Sequence, residues 1–181
     1  LRSEQSFGVG DLGDLQLLVD WAKKTNQRII QVLPMNDTTM THTWVDSYPY
    51  SAISIYALHP MYINLPLLGV LKDKERAAFF AAKQVELNAK DTVDYEEVVK
   101  YKLAYCREFF KQEGAAVLDS QGFKEFLLQN ETWLLPYAAY CYLRDMYGTS
   151  DFTKWKDYSV FDKSRVRKLC TGNGKAYPDI S

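Results

Sequence analysis

Arg28-Ile29-Ile30-Gln31-Val32-Leu33 is a short run rich in β-branched side chains, halted by Pro34. Its apolar side chains point both ways, the pattern of a strand buried on both faces. Reading these six positions as a strand is what decides the fold class. Just upstream, Leu15, Leu18, Val19 and Ala22 fall at i, i+3, i+4 and i+7, the apolar stripe of an amphipathic helix. The glycines before that stripe and Asn26 after it suit the helix ends.

Downstream, residues 34–51 form a long loop punctuated by Pro34, Asn36, Asp37, Asp46, Ser47 and Pro49. Loops of this length without regular pattern are either functional or disordered. Trp44, Tyr48 and Tyr50 weigh against disorder here. After about residue 72 the texture turns helical. Asp73 to Leu87 is rich in Ala, Lys and Glu, and Val98, Tyr101, Tyr105 and Phe109 share one face of a second helix. Shorter helices are expected over Gln121–Gln129 and Pro136–Met146, with Pro136 in a first turn and Gly148 as a C-terminal stop. From Asp151 the pattern is mixed and supports no assignment.

The 181 residues are 47% hydrophobic and 25% charged, a globular balance, and 22 basic side chains nearly cancel 23 acidic ones. Without a basic excess or cluster, nothing directs the chain to nucleic acid or to an anionic membrane. No apolar run is long enough to span a bilayer. Cys106, Cys141 and Cys170 are too few and too scattered for a disulfide framework, so free thiols in a reducing cytoplasm are expected. His42 and His59 are not spaced as helix-borne zinc ligands, and no metal or other cofactor is expected. Aromatics reach 14%; their faces serve cores, and they also stack on the apolar faces of sugars or bases. The chain starts at Leu1 and stops at Ile180-Ser181, and both ends read as cuts inside a larger protein.

Gly8, Gly10 and Gly13 satisfy the glycine spacing of a dinucleotide-binding turn, with a helix following. That turn must be aimed by a preceding apolar strand, and Leu1-Arg2-Ser3-Glu4-Gln5-Ser6 offers none. A glycine turn leading into a helix is the simpler reading.

Taken in order, the segments carry more information than any one of them. Phe7-Gly8-Val9-Gly10-Asp11-Leu12-Gly13 precedes a helix through Trp21. Gln31-Val32-Leu33-Pro34-Met35-Asn36, Asp46-Ser47-Tyr48-Pro49-Tyr50-Ser51 and Ser54 to Leu65 follow. This series resembles the N-terminal part of the catalytic domain in glycoside hydrolase family 77, the 4-α-glucanotransferases. Val93-Asp94-Tyr95 and Glu131-Thr132-Trp133-Leu134 before Tyr137-Ala138 resemble the helical insertion of that family, so the likeness runs to about Tyr158. Asn36-Asp37 stands where the bacterial pattern has Gly-Pro, an extra Tyr48 splits the usual S-P-Y, and His59 replaces a common Asn. The Thr38–Val45 loop, with Thr41-His42-Thr43-Trp44, is similar to that of larger disproportionating enzymes carrying starch-binding modules.

The resemblance implies an α/β fold, a fragment of a (β/α)₈ TIM barrel with a mainly helical inserted subdomain. Residues 1–71 would open the catalytic barrel and 72–181 would form the subdomain. The implied activity is transfer of α-1,4-glucan segments by a retaining double displacement, for which two carboxylates flank the scissile bond. The implied partners are malto-oligosaccharides, maltose and a glycogen- or starch-like glucan, the acceptor staying open between short and branched chains. By carry-over, Tyr50 packs on the sugar just before the cleaved bond and Ser47 hydrogen-bonds nearby. Trp44 and Tyr48 are candidates for an aromatic platform, with loop packing as their other use. No segment resembles the later motifs that supply the catalytic acids, so no catalytic residue is expected within the chain. Asp11, Asp14, Asp37 and Asp46 are expected to cap helices and accept hydrogen bonds.

Overall fold

Asp11 starts the first helix, α1 (Leu12–Lys24), by a reciprocal capping box. Its Oδ1 accepts from the Gly13 and Asp14 amides at 2.9 and 3.3 Å, while Asp14 Oδ2 accepts from the Asp11 amide at 2.9 Å. In the computed structural model, which describes residues 2–171, side-chain oxygens cap the starts of five further helices by accepting from first-turn amides. These are α2 (Leu65–Leu68) behind Asn64, α3 (Lys74–Asn88) behind Asp73 and α4 (Tyr95–Asp119) behind Asp94. Ser120 starts α5 (Gln121–Tyr147) and Asp162 starts α6 (Lys163–Cys170). Single 3₁₀ turns lie at Trp44–Ser47, Pro60–Tyr62, Phe152–Lys154 and Lys156–Tyr158.

Among the described residues no strand forms, which corrects the α/β expectation: the chain is mainly helical and no part of a TIM barrel is built. Residues 28–33 carry β-favouring side chains, but a ladder is a non-local object that needs a partner at an edge. No described segment pairs with them, and Ile29 and Leu33 stand 87% and 61% exposed rather than buried. The antiparallel bridge between Asn36 and Leu58 is isolated. It is flanked by bonds from the Asp37 amide to the Ala57 carbonyl and from the His59 amide to the Met35 carbonyl, at 2.9 and 2.8 Å.

The main core lies between α3 and α4. Phe80, Leu87, Val98 and Tyr105 are buried there against Phe7, Met61, Leu65 and Leu71. Residues from both sides of position 71 therefore share one core. The expected second unit extends beyond the description, since 172–181 fall outside the described residues. Gly8 makes the closest approach to this core. It sits at φ +75°, where a Cβ would lie 2.7 Å from Val98 Cγ2 and 2.9 Å from Leu87 Cβ. Its amide donates to Asn88 Oδ1 at 2.7 Å, so the glycine turn is built to pack on two helices. Gly8→Ala is expected to lose about 2–3 kcal/mol in urea unfolding, from overpacking added to a left-handed backbone. A loss below 1 kcal/mol, on the order of a surface change, would remove that account.

The two short helices expected around Pro136 are one continuous helix of 27 residues. Proline removes one backbone donor from a helix interior at a cost of about 3 kcal/mol. Packing on both sides of Pro136 offsets it, because Leu135 and Ala139 lie against Val166, Leu169 and Cys170 of α6. Gly148 ends α5 in the left-handed conformation, as expected for a C-terminal stop. The stretch after Asp151 is anchored by buried Trp155, whose indole N–H donates to the Thr149 carbonyl at 2.8 Å. Its ring packs on Tyr140 and Tyr147.

Candidate functional site

The loop after Pro34 is held at its base by buried polar side chains. Asp37 Oδ1 accepts from the Thr39 amide and hydroxyl at 2.9 and 2.6 Å, and its Oδ2 accepts from the Tyr137 hydroxyl of α5 at 2.7 Å. Asp37 has 1% exposure, so each of these bonds replaces lost hydration. Asp46 plays the matching part at the tip. Its carboxylate accepts from the Thr41 and His42 amides, while the Thr38 hydroxyl donates to its carbonyl. Successive N–H groups curled around a carboxylate form a compact anion nest.

Helices α4 and α5 then grip the loop from outside. Buried Arg144 donates to the Thr39 carbonyl and, through Nε, to Asp145 Oδ1 at 2.7 Å. His42 Nε2 reaches the same Asp145 oxygen at 2.9 Å. Burial acts to raise the Asp145 carboxyl, but the hydrogen bonds from Arg144 and His42 outweigh it and hold it below the usual carboxylate range. From α4, Glu96 Oε1 accepts from the Trp44 amide at 2.9 Å.

On this frame the four residues singled out in the sequence lie outward. Trp44 and Ser47 are the first and last residues of the 3₁₀ turn, and both are exposed, Trp44 at 70%. Tyr48 and Tyr50 are 59% and 62% exposed, with ring centroids 5.4 Å apart. The structure thus gathers all four on one braced loop and brings the two tyrosines into contact. Asp11, Asp14, Asp37 and Asp46 are occupied in capping and loop bonding, as their positions suggested. Among the described residues no cluster of His, Cys, Asp and Glu is arranged to hold a metal ion. No helix among them is long and apolar enough to cross a membrane. Burial pushes the Cys141 thiol up to about 11, leaving it protonated and inert.

Behind the loop, His59 Nδ1 accepts from the Met61 amide at 3.0 Å, which leaves the proton on Nε2 to donate to the Tyr95 hydroxyl at 2.8 Å. Burial lowers the His59 pKa from 6.5, outweighing the opposing pull of Asp37 and Asp46. The unfolded chain therefore binds this proton more readily than the folded one, and stability falls as pH drops below about 6.5. Between pH 7.5 and 5 the wild-type chain is expected to lose stability at up to about 1.4 kcal/mol per pH unit within the window, and His59→Gln is expected to flatten that slope. An equal slope in both proteins, by urea unfolding, would assign the acid sensitivity elsewhere.

With the glycine turn, the braced aromatic loop and the helices behind it in place, comparison with known proteins is decisive. The family model described as 4-alpha-glucanotransferase matches residues 1–177. The chain belongs to the 4-alpha-glucanotransferase family. A rice relative (Oryza sativa subsp. japonica), 4-alpha-glucanotransferase DPE2, is 43% identical across 99% of the chain, which corresponds to 19% of that relative. Two bacterial 4-alpha-glucanotransferases are more distant. That of Chlamydia pneumoniae is 31% identical over 77% of the chain and 26% of its own length. That of Chlamydia muridarum is 26% identical over 86% of the chain and 29% of its own length. The chain thus spans between about a sixth and a third of the length of the curated 4-alpha-glucanotransferases it matches.

Within this family frame, the sequence reading missed the residues that brace the loop: Tyr137, Arg144 and Asp145 on α5 and Glu96 on α4. One signal was present. Tyr137, Cys141 and Arg144 recur at i, i+4 and i+7, a helix face bearing polar groups where a plain core face would be apolar.

Proposed function

We propose that this chain supplies the substrate loop of a 4-alpha-glucanotransferase that transfers α-1,4-glucan segments between maltodextrins or onto a glycogen- or starch-like acceptor. The braced loop that presents Trp44, Ser47, Tyr48 and Tyr50 to solvent carries this reading. Tyr50 packs on the sugar before the cleaved bond, Ser47 hydrogen-bonds beside it, and Trp44 with Tyr48 forms a platform for a longer glucan. Ring faces of fixed orientation suit the apolar faces of pyranoses. The helices from Lys74 onward act as a subdomain that braces the loop.

The retaining double displacement needs a carboxylate nucleophile and an acid/base some 5 Å apart, and Asp11, Asp14, Asp37 and Asp46 are committed to structure. The catalytic acids belong to other parts of the whole enzyme, and the 181-residue chain is inactive by itself. Reduced thiols at Cys106, Cys141 and Cys170 fit a cytoplasmic enzyme.

Titrating the chain with maltoheptaose and with maltose, following the heat of binding by calorimetry, tests the platform. Trp44→Ala is expected to weaken maltoheptaose about tenfold and maltose little, the scale of one lost aromatic contact. Equal weakening of both sugars would remove the platform, and absence of binding by the wild type would remove the substrate-loop reading. Release of glucose from maltotriose by the purified chain, above a heat-killed control, would overturn the assignment of the acids elsewhere.

A further inference from the structure

His42 has a backbone conformation that L side chains rarely adopt, with φ at 59°. Glycine or asparagine is the usual solution at such a position. A residue with a Cβ bears a backbone cost there that the contacts of its side chain can offset. Asp46 shapes the turn locally by accepting from the Thr41 and His42 amides, but these bonds do not tie it to a helix. The imidazole reaches 103 residues along the chain instead, where Nε2 donates to Asp145 Oδ1 at 2.9 Å. Asp145 is in turn oriented by Arg144, whose guanidinium also holds the Thr39 carbonyl. The loop is thus tied to α5 at two points ahead of its tip, Thr39 and His42, the second lying two residues before Trp44.

We infer that His42 is a positioning residue: anchored on Asp145, it fixes the turn that carries Trp44, Ser47 and Tyr48, and so sets glucan affinity without touching the glucan. The affinity half of this inference rests on the substrate-loop reading; the anchoring half does not.

The experiment uses the 181-residue chain and the variants His42→Gly, His42→Asn and His42→Gln. Glycine and asparagine keep the left-handed turn and lose the reach to Asp145, whereas glutamine keeps a donor near the position of Nε2. Amide hydrogen exchange over residues 43–48 is expected to accelerate about tenfold in the Gly and Asn variants, return toward wild type in the Gln variant, and stay unchanged in α3 and α4. Maltoheptaose binding is expected to weaken about fivefold in the Gly and Asn variants and to recover with Gln, the scale of one half-exposed hydrogen bond. Wild-type exchange in the Gly and Asn variants overturns the inference, as does a Gln variant that exchanges as fast as Gly. If wild-type chain fails to bind maltoheptaose, the substrate-loop reading falls, and exchange alone still decides the anchoring.

Discussion

Lys102→Ala is expected to destabilise the chain by about 3–5 kcal/mol, enough to leave it largely unfolded at physiological temperature. Lys102 is fully buried on α4, and its ammonium donates to the Met61 and Ile63 carbonyls at 2.7 and 2.8 Å. It also lies 3.7 Å from Asp11 Oδ2, a buried oxygen with no hydrogen-bond partner of its own. Burial lowers the lysine pKa, and the charge of Asp11 opposes that shift. Removing the ammonium leaves a buried carboxylate without a counter-charge and two carbonyls without a donor, which is the costly half of any buried ion pair. Urea unfolding of Lys102→Ala, Lys102→Met and the double variant Lys102→Met/Asp11→Asn separates the contributions. The double variant is expected to recover part of the loss, because the orphaned charge is gone. A single-variant loss under about 1 kcal/mol would show that the pair is solvated after all.

Asp37→Ala is expected to cost about 3 kcal/mol and to loosen the loop as well. The substitution strips acceptors from the Thr39 amide, the Thr39 hydroxyl and the Tyr137 hydroxyl at a site closed to water. Burial first, then the neighbouring Cys141 and Asp37, hold the Tyr137 phenol protonated, so it serves as a permanent donor. Tyr137→Phe removes only one donor and is expected to cost about 1 kcal/mol. Combined with Asp37→Ala it should add almost nothing, since the bond is already broken. Full additivity in the double variant would mean that the two groups do not act on one another. Maltoheptaose titration of Asp37→Ala would show a larger loss than Tyr137→Phe, if the base of the loop sets the orientation of its tip.

Much of the helical part was legible in the sequence because its signals are local. Asp73 ahead of an Ala, Lys and Glu run, and the face made by Val98, Tyr101, Tyr105 and Phe109, need no knowledge of distant residues. The run at 28–33 failed for the opposite reason. Its composition states a preference for extended backbone, whereas a strand exists only with a neighbour, and the described residues supply none. Pro136 misled in a related way, since its cost is local and the α6 contacts that offset it are not. In the candidate site, the exposure of Trp44, Tyr48 and Tyr50 suits a polar, proline-marked loop, whereas the contact between the Tyr48 and Tyr50 rings was not legible there. The grip of Arg144 on Thr39 spans 105 residues, and no local pattern encodes which carbonyl a guanidinium will meet.

Ser120 closes α4 and opens α5 with no spacer, its hydroxyl bonding the Val117 carbonyl behind it and the Phe123 amide ahead. From that pivot a rigid rod runs to Tyr137 and Arg144, each aimed at its own point on the loop. Such a rod is a ruler and a protractor together. One residue inserted between Ser120 and Tyr137 advances everything beyond it by about 1.5 Å and turns it by about 100°. Both side chains would then swing away from Asp37 and Thr39 in a single step. Insertions and deletions among relatives should therefore avoid this span and collect after Gly148, where the chain winds through short turns that tolerate a change of length.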